Sequence, residues 1–545
     1  MASTNSPLPP VAEPLLDIDQ IQGNVFPGFN KPHQSYIGLM IENAPAAKLW
    51  LKGILADIST VRMVMEDRKA YRALKKQLGR KATEADGYVV THMGIGFSYG
   101  GMRKLTLDAQ SFESDAYRLG LPERSPLLGD PTDSHDPGDP HNWVVGGPGH
   151  IPDVLVIVNC DSASERTART GQLQSSAEKS GLKVTYEENG DALPGGLRGH
   201  EHFGFHDNVS QPGIRGLISD DPPEYLTTRQ VDPSVLPESL LFGSPGQYLI
   251  WPGEYVFGYP GQTQDPLIPA ATNSIQPTWT NNGSFLVFRR YRQDVKLFWQ
   301  VMEEESGRLR KKPGFEWATP VGLASRVVGR WPSGAPVARV PGGDDPKLGE
   351  DDLANNHFGY AADTCPVRLT GGAQDGFPNA KADPIGAVCP LGSHIRKVNT
   401  RDSSNDTGAT LGSFTRRIMR RGIEFGETLL EGPITGDRPL LKRHDPLKGN
   451  RGLLFVGFCA SIEDQFEFLR NRWMSNRFTP QSPSGNDVFI GLNGNYGQKR
   501  VREMNLFGTG MQAQTLSTGA PWVVPTGGGY YFVPSIAAID TVLAT

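Results

Sequence analysis

Hydrophobic and polar positions follow two periods along this chain, and the same order of periods occurs twice. Residues 36–60, YIGLMIENAPAAKLWLKGILADIST, predict a strand and then a helix whose apolar positions recur at helical spacing. Residues 284–305, SFLVFRRYRQDVKLFWQVMEEE, repeat that order with a β-branched and aromatic run, a polar break and an amphipathic helix. The repetition indicates two halves of similar construction.

Each half continues with further candidate elements. In the first half, residues 153–161 predict a strand, and a polar helix then leads to a second strand over 182–188. In the second half, a strand over 452–460 precedes a helix over 461–473, and a strand over 528–535 follows later. Strand–helix–strand alternation with hairpin-like pieces, present twice, predicts an α+β fold of two ferredoxin-like halves, with antiparallel sheets and peripheral helices.

Two long segments rich in Gly, Pro, Asp and Ser separate these elements and are typical of loop insertions. Long loops inside a compact protein usually carry function. We therefore expect the following organisation: a disordered arm over 1–15, an N-terminal half over 16–216, a linker or insertion over 217–282, and a C-terminal half over 283–545 that contains the insertion 306–393.

Composition and charge narrow the class of protein. The formal net charge of the 545 residues is -5, without a long block of one sign, which argues against a nucleic-acid partner and a membrane-surface protein. The start of the chain lacks the pattern of a signal peptide, and no apolar run approaches the roughly 20 residues that span a bilayer. The cysteines lie far apart without a CxxC pair, so neither a zinc site nor a disulfide framework is indicated. We expect a cytoplasmic protein, and export without a classical leader stays open.

Three stretches are dense in residues that can carry chemistry. GHEHFGFHDNVSQPGIRG, residues 199–216, places three histidines around Asp207. CPLGSHIRKVNTR, residues 389–401, surrounds His394 with cationic residues, and RRIMRRGIEFGE, residues 416–427, is a second cationic cluster. Guanidinium groups at turns often bind anions through paired hydrogen bonds. Together the three stretches predict a site of one histidine, one aspartate and several arginines that faces an anionic ligand.

Plainer interpretations of the same residues stay open. Asp207 can cap a turn, His394 can be a buried histidine that bonds to the backbone, and the arginines can form surface salt bridges. His200, His202 and His206 could instead bind zinc or iron, although their spacing is not that of the helical HExxH motif.

Five stretches occur in the order and context of the dye-decolourising peroxidases, which the chain resembles from about Asp17 to Ser535: DIDQIQGNVFPGFNKPH, EHFGFHDNVSQP, CPLGSHIRKVNTR, RRGIEFG and LLFVGF. These are haem enzymes built from two ferredoxin-like halves, and the length of this chain is similar to that of the larger subgroup. The resemblance implies one haem b per chain, bound in the C-terminal half, with hydrogen peroxide as one substrate and bulky dyes, phenols or similar organic molecules as reductants.

The resemblance also implies roles on the side of the haem where peroxide binds, the distal side. The family's GxxDG motif falls on residues 204–208, which makes Asp207 the acid–base residue. Asn208 stands where the family has glycine, and asparagine tolerates a left-handed backbone better than most residues. Arg420 matches the distal arginine, and Glu424 replaces the usual proline in the same turn.

Other residues match positions around the rest of the haem. His394 resembles the proximal ligand that supplies an imidazole nitrogen to the iron. Arg401 matches the arginine that pairs with a haem propionate, and Leu453 and Phe455 match apolar residues of the distal face, although both are core candidates under any interpretation.

A ligating histidine needs an acidic partner that fixes its tautomer. Asp487 in SGNDVFIG matches the family position best. Glu463 is a competitor that lies on the predicted exposed face of a helix.

These roles agree with the chemistry of peroxide cleavage. A carboxylate can move a proton between the two peroxide oxygens if it is ionised when peroxide arrives, and an adjacent guanidinium keeps it ionised and stabilises the departing oxygen. We therefore expect Asp207 to act as the acid–base catalyst, Arg420 to stabilise charge, and activity to be highest at acidic pH.

Two other functions remain as alternatives. One is a haem-binding or haem-processing protein with little turnover, and the other is a non-haem metal hydrolase that uses the three histidines. A homo-oligomer is left open.

Overall fold

The computed structural model describes most of the chain: residues 12–79, 86–216, 218–219, 227–228, 230–232, 234, 238–363, 375–408, 413–445, 448–492, 494–495 and 498–545. Residues 1–11 of the predicted arm and Cys365 lie outside the described residues.

The first half contributes four antiparallel strands: β1 (His33–Ile41), β2 (Thr91–Phe97), β3 (Val154–Cys160) and β4 (Leu182–Asp191). They lie in the order β2–β3–β1–β4. β3 is buried along its whole length because its alternate side chains enter apolar cores on both faces of the sheet, whereas β4, at the edge, alternates buried and exposed positions. With the helices between the strands, this is the βαββαβ order of a ferredoxin-like unit.

The second half repeats this arrangement with β5 (Ser284–Gln293), β6 (Met419–Arg420), β7 (Ile423–Phe425), β8 (Gly452–Cys459) and β9 (Val523–Val533). β6 and β7 both pair with β8, which is followed by β5 and then β9. β9 pairs with β2, so the nine strands form one sheet in the described part of the chain. The predicted α+β fold of two ferredoxin-like halves is confirmed.

Helices pack on the periphery of this sheet. In each half the first helix begins directly after a strand, where Asn43 or Asp294 accepts a hydrogen bond from a backbone N–H of the first turn. The helices are α1 (Ala44–Ile54), α2 (Val61–Leu78), α3 (Tyr99–Leu105), α4 (Asp115–Leu119), α5 (Leu121–Arg124), α6 (Ala163–Lys179), α7 (Glu238–Leu241), α8 (Val295–Leu309), α9 (Pro320–Val328), α10 (Pro346–Glu350), α11 (His394–Val398) and α12 (Ile536–Ala538).

Shorter elements fill the connections. Two-stranded ribbons pair Gly213–Ile214 with Leu249–Ile250, Ile218–Ser219 with Thr227–Thr228, Tyr259–Gln262 with Pro269–Asn273, Gly494–Asn495 with Gln498–Lys499, and Arg502–Phe507 with Ala513–Thr518. Short 3₁₀ turns span Leu55–Asp57, Leu107–Ser111, Pro140–Asn142, Gly195–Leu197, Pro252–Glu254, Thr278–Thr280 and Phe414–Arg416, and π-helical turns span Ile462–Glu467, Leu469–Met474 and Ile539–Leu543.

Two apolar cores position the candidate site. One core includes side chains from strands of both halves, such as Leu39, Val156, Val287 and Phe532. A second core lies under α8 and α9 and includes Phe205, which precedes the aspartate motif. The halves are therefore packed on shared apolar surface. None of the helices in the described ranges has the length and apolar character that crossing a membrane requires.

The structure differs from the sequence-based expectation in local elements. The helix predicted over 461–473 is present as consecutive π-helical turns. The segment 306–393, predicted as loop, contains α9 and α10. All nine residues of α9 are buried, including Ser325 and Arg326. Glu13, within the predicted disordered arm, accepts hydrogen bonds from Arg215 and Gly216.

Candidate active site

The aspartate motif forms a closed turn that is held by its own backbone. The Asp207 N–H donates to the Gly199 carbonyl at 2.8 Å, and His200 pairs with His206 in an isolated antiparallel bridge. Gly204 has a φ of 101°, and a Cβ there would lie 2.5 Å from Cδ1 of Ile434. Glycine is needed at 204 because of this conformation and this close approach.

Glu201 holds the same turn from inside. Its carboxylate accepts the N–H groups of Phe203 and Phe205 at 2.9 and 3.0 Å and the amide of Gln293 at 2.6 Å. Burial raises the pKa of Glu201 to about 7, against the effect of these hydrogen bonds. Sequence analysis did not single out Glu201, because a glutamate inside a histidine-rich motif carries no spacing signal of its own.

Asn208 adopts the left-handed backbone conformation, with a φ of 58°. Its side-chain oxygen accepts a hydrogen bond from Gln211. The Gln211 amide also bonds to both backbone groups of Arg420: Oε1 accepts the Arg420 N–H at 3.3 Å, and Nε2 donates to its carbonyl at 3.2 Å. Gln211 thus joins the aspartate motif to strand β6. Sequence analysis missed this role, since it depends on a strand more than 200 residues away.

Arg420 reaches the motif with its side chain as well. Nη2 donates to the Ser210 carbonyl at 2.7 Å, and Nη1 lies 3.7 Å from Oδ1 of Asp207. The two side chains are about one-third exposed, 32% for Arg420 and 37% for Asp207. The structure therefore brings the predicted carboxylate and guanidinium together as an ion pair that remains open on one side.

Strand pairing places several candidate residues on one face of the sheet. Arg420 lies opposite Gly457 and Glu424 opposite Leu453. Side chains of directly opposed residues emerge on the same face, as do those of alternate residues along a strand. Phe455, between Leu453 and Gly457, shares this face, and both Leu453 and Phe455 are half-buried.

Glu424 is the buried acid of that face. Only 8% of the residue is exposed. Burial raises its pKa to about 8, and the negative charges of Asp207 and Glu201 act in the same direction. The carboxyl of Glu424 is therefore protonated at neutral pH.

His394, the first residue of α11, pairs with Asp487. Nδ1 of the imidazole lies 2.8 Å from Oδ2 of Asp487. The other carboxylate oxygen accepts the N–H groups of Phe489 and Ile490 at 2.9 and 3.1 Å. Burial opposes ionisation of Asp487, but the charge and hydrogen bond of His394 hold its pKa below the ordinary value. The imidazole therefore has one nitrogen fixed by a carboxylate, with Nε2 on the opposite side of the ring.

Glu463, the competing partner, lies elsewhere. Its Oε1 accepts the hydroxyl of Ser114 at 2.8 Å and the Ala116 N–H at 2.7 Å, which caps the beginning of α4. In the contacts between described residues, Asp487 bonds to His394 and Glu463 does not.

Arg401 is buried and bonded to a neighbouring loop. Nη1 donates to the carbonyls of Asn356 and Phe358 at 3.0 Å each, Nη2 donates to the side chain of Asn356 at 2.7 Å, and the guanidinium lies 3.6 Å from the centre of the Phe358 ring. No hydrogen bond of Nε occurs among the described residues.

The three histidines do not converge on a common point. Nε2 of His202 bonds to the Phe425 carbonyl at 2.9 Å, whereas His200 and His206 pack edge to face with ring centres 5.2 Å apart. Burial lowers the pKa of all three. Within the described chain, no group of three His, Cys, Asp or Glu side chains is placed to hold a metal ion.

Comparison with known proteins points to one family. The model of the DyP dimeric alpha+beta barrel domain matches residues 20–194. The dye-decolorizing peroxidase msp1 of Mycetinis scorodonius is 27% identical over 97% of this chain and 88% of its own length. The dye-decolorizing peroxidase AauDyP1 of Auricularia auricula-judae is 26% identical over 97% of this chain and 87% of its own length.

A solved structure gives the same result. An ancestral D-type dye decolorizing peroxidase superposes with a TM-score of 0.73 at 28% identity, covering 98% of this chain and 100% of that chain. The similarity therefore includes both halves of the fold.

Proposed function

We propose that this chain, which is similar in sequence and fold to the dye-decolourising peroxidases, is a peroxidase of that family that binds one haem b, reduces hydrogen peroxide there and oxidises organic reductants. The observation that carries the proposal is the pair of acid–base contacts on separate elements: His394 with Asp487, and Asp207 with Arg420. Reductants of the kind named for the family, bulky dyes and phenols, are the proposed electron donors.

The donor set at His394 fits a haem iron. A ligating imidazole usually donates its second ring N–H to a carboxylate, which fixes the tautomer and makes the free nitrogen a stronger donor. Asp487 supplies that carboxylate at 2.8 Å from Nδ1, so Nε2 is the nitrogen that we assign to the iron. When bound, the haem would hold the two oxidising equivalents that hydrogen peroxide supplies and pass them to the reductant.

Asp207 is the proposed proton carrier. A carboxylate that is about one-third exposed can exchange a proton with water or with an incoming peroxide, which full burial would prevent. We propose that Asp207 takes the proton from one peroxide oxygen and returns it to the other. Since the reduction of peroxide to water takes up protons overall, we expect the highest activity at acidic pH, down to the pH at which Asp207 itself becomes protonated.

Arg420 is the proposed electrostatic partner. Its guanidinium lies 3.7 Å from Asp207, close enough to stabilise the carboxylate before the proton moves and the departing oxygen afterwards. Leu453 and Phe455, half-buried on the same face, would limit the water around this charge. A drier surrounding strengthens the electrostatic interaction.

We also propose that Arg401 donates a hydrogen bond to a haem propionate, although part of its guanidinium already bonds to the protein. Nη1 uses both of its N–H groups on the carbonyls of Asn356 and Phe358 and Nη2 uses one on the side chain of Asn356, so Nε and the second N–H of Nη2 are the donors that we assign to the propionate. The same bonds hold the loop around Asn356 beside the proposed site.

The absorption spectrum of the purified protein, before and after one equivalent of hydrogen peroxide, tests the proposal. We expect a haem band that changes within seconds of peroxide addition and returns when a phenol or dye is added. A haem band that peroxide leaves unchanged would identify a haem-binding protein without peroxidase turnover. A colourless protein that takes up no added haem would contradict both functions.

A further inference from the structure

Tyr360 and Cys389 form a buried phenol–thiol pair close to the proposed proximal histidine. Neither residue has any exposed surface. The Cys389 thiol donates a hydrogen bond to the Tyr360 hydroxyl, with Sγ 3.8 Å from Oη. The same sulfur lies 3.2 Å from the hydroxyl of Ser393, the residue that directly precedes His394. The sulfur is therefore held between a phenol and the turn that begins α11.

The Tyr360 ring is connected to the second residue that we assign to the haem. It packs edge to face against the Phe358 ring, with ring centres 5.6 Å apart. The centre of the Phe358 ring lies 3.6 Å from the guanidinium of Arg401, the proposed partner of a haem propionate. Short chains of contacts therefore join the phenol–thiol pair to both His394 and Arg401.

Arg396 fixes the two residues relative to each other. Its guanidinium lies 4.2 Å from the centre of the Tyr360 ring, and Nη1 donates to the Cys389 carbonyl at 2.9 Å. Oδ2 of Asp383 accepts hydrogen bonds from Nη1 of Arg396 at 3.2 Å and from the Cys389 N–H at 2.8 Å. A connected network of this kind limits the motion of the groups that it joins. The thiol and the phenol are thus kept in contact.

The surroundings favour oxidation of this pair over the usual reactions of a cysteine. Burial raises the pKa of both the Cys389 thiol and the Tyr360 hydroxyl, so both keep their protons at neutral pH. A buried thiol that is not ionised is a poor nucleophile for disulfide exchange or alkylation. Oxidation of a phenol removes one electron together with the hydroxyl proton, and the radical that results is shared with the two ring carbons next to the oxygen.

We propose that hydrogen peroxide oxidises this pair to a thioether between Sγ of Cys389 and a ring carbon next to the Tyr360 hydroxyl. The inference rests on the peroxidase function proposed above, which delivers the oxidising equivalents. The C–S bond forms while the thiol S–H and one ring C–H break, and the phenol regains its hydroxyl proton. The two electrons and two protons released reduce one hydrogen peroxide to two waters. The link would join the segment that contacts Arg401 to the turn that begins α11.

Mass spectrometry of the haem-loaded protein, before and after reaction with hydrogen peroxide without an added reductant, tests this inference. After digestion with trypsin, the peptides 348–368 and 382–396, which contain Tyr360 and Cys389, should appear as one species lighter than their sum by two hydrogen atoms. Because Cys365 lies in the first of these peptides, the protein is reduced and alkylated before digestion. A disulfide opens under these conditions and a thioether does not. Protein without haem, given the same peroxide, should remain unlinked.

Two conservative variants each remove one partner of the link. Tyr360→Phe lacks the hydroxyl that the oxidation requires, and Cys389→Ala lacks the sulfur, so neither should give the linked species. Cys459→Ala, at another buried free cysteine, is the matched control and should still give it. The haem absorption band of each variant shows that it has folded and bound haem.

Failure of this inference and failure of the proposed function give different results. If the parent protein reacts with peroxide but yields no linked species after reduction, or if Tyr360→Phe yields the same species, the thioether is wrong and the peroxidase function stands. If the parent protein binds no haem or does not react with peroxide, the proposed function is wrong and this inference falls with it.

Discussion

His394 and Asp487 form one side-chain pair of the candidate site, Asp207 and Arg420 form the other, and the two pairs differ in burial and in distance. The Asp487 side chain is fully buried and lies 2.8 Å from the imidazole. The Asp207 side chain is 37% exposed and lies 3.7 Å from the guanidinium. The carboxylate of Asp487 is enclosed by the protein groups that hydrogen-bond to it, whereas the carboxylate of Asp207 remains accessible from solvent.

The difference matches what each pair must do in the proposed reaction. A ligating imidazole has to keep its orientation, which a buried carboxylate with three hydrogen bonds provides. A proton carrier has to exchange its proton, which requires access. The distal pair obtains its geometry from the backbone instead, because Gln211 holds Arg420 at both backbone groups while Asn208 holds Gln211.

Removing the carboxylate of Asp207, the proposed proton carrier, should have the largest effect on the rate of the reaction with peroxide. Asp207→Asn keeps the shape but cannot accept the peroxide proton, so we expect the rate of the reaction with peroxide to fall by about 10²–10⁴. Stopped-flow absorption measures this rate, and the haem band should remain. Asp540→Asn, which removes a surface carboxylate paired with Lys52, is the control and should react like the parent. If Asp207→Asn reacted with peroxide as fast as the parent protein, Asp207 would not be the proton carrier and the proposed difference in role between the two pairs would be wrong.

Removing the guanidinium should have the next largest effect. In Arg420→Leu the charge on the departing oxygen loses its partner, and we expect the rate with peroxide to fall by about 10²–10³ with haem still bound. Arg438→Leu, at an exposed position, is the matched control. If raising the peroxide concentration restores the full rate, Arg420 acts in binding and not on the departing oxygen.

The proximal pair should respond in affinity for haem. Asp487→Asn would present an amide N–H to Nδ1 of His394, which moves the imidazole proton to Nε2, the nitrogen assigned to the iron. We expect haem affinity to fall by about 10- to 100-fold in absorption titrations. Glu463→Gln, at the competing acid, should leave this affinity unchanged. If Glu463→Gln lowered haem affinity and Asp487→Asn did not, Glu463 would be the acid that supports His394.

Removing the hydrogen bonds between Gln211 and the backbone of Arg420 should have the smallest effect on the rate of the reaction with peroxide. Gln211→Ala removes two hydrogen bonds to Arg420, and at about 1 kcal/mol or less for each we expect the peroxide rate to fall by at most about 30-fold. Haem affinity should not change, which separates the distal from the proximal pair. Gln264→Ala, at an exposed loop position, serves as the control. An unchanged rate would mean that Arg420 is positioned by β6 alone.

Local patterns were sufficient for most of the sheet. β1 with α1 and β5 with α8 lie where the two repeated patterns predicted them, because a run of alternating or continuous apolar residues followed by a capped helix is encoded within about 25 residues. The helix α9 was missed because it is only nine residues long and lies in a segment whose Gly, Pro, Asp and Ser content favours loops. The π-helical form of the 461–473 segment also left no trace in the apolar pattern.

The candidate site was predictable as a set of residues and less so as an arrangement. The motifs around Asp207, His394 and Arg420 are contiguous and could be matched one by one. The contacts of Gln211 with Arg420, and the placement of Glu424 on the face of Leu453, depend on pairing between distant segments. The choice between Asp487 and Glu463 needed the fold, since both acids lie far from His394 along the chain.

The sequence by itself determined the two halves, most of their strands and the first helix of each, and the chemical groups available at three motifs, because these follow from neighbouring residues. Only the tertiary structure decided which acid meets the imidazole, how closely carboxylate and guanidinium approach, and that Glu424 is buried on the same face of the sheet. Those features depend on burial and on through-space distance, which arise when strands that are remote along the chain pair in one sheet.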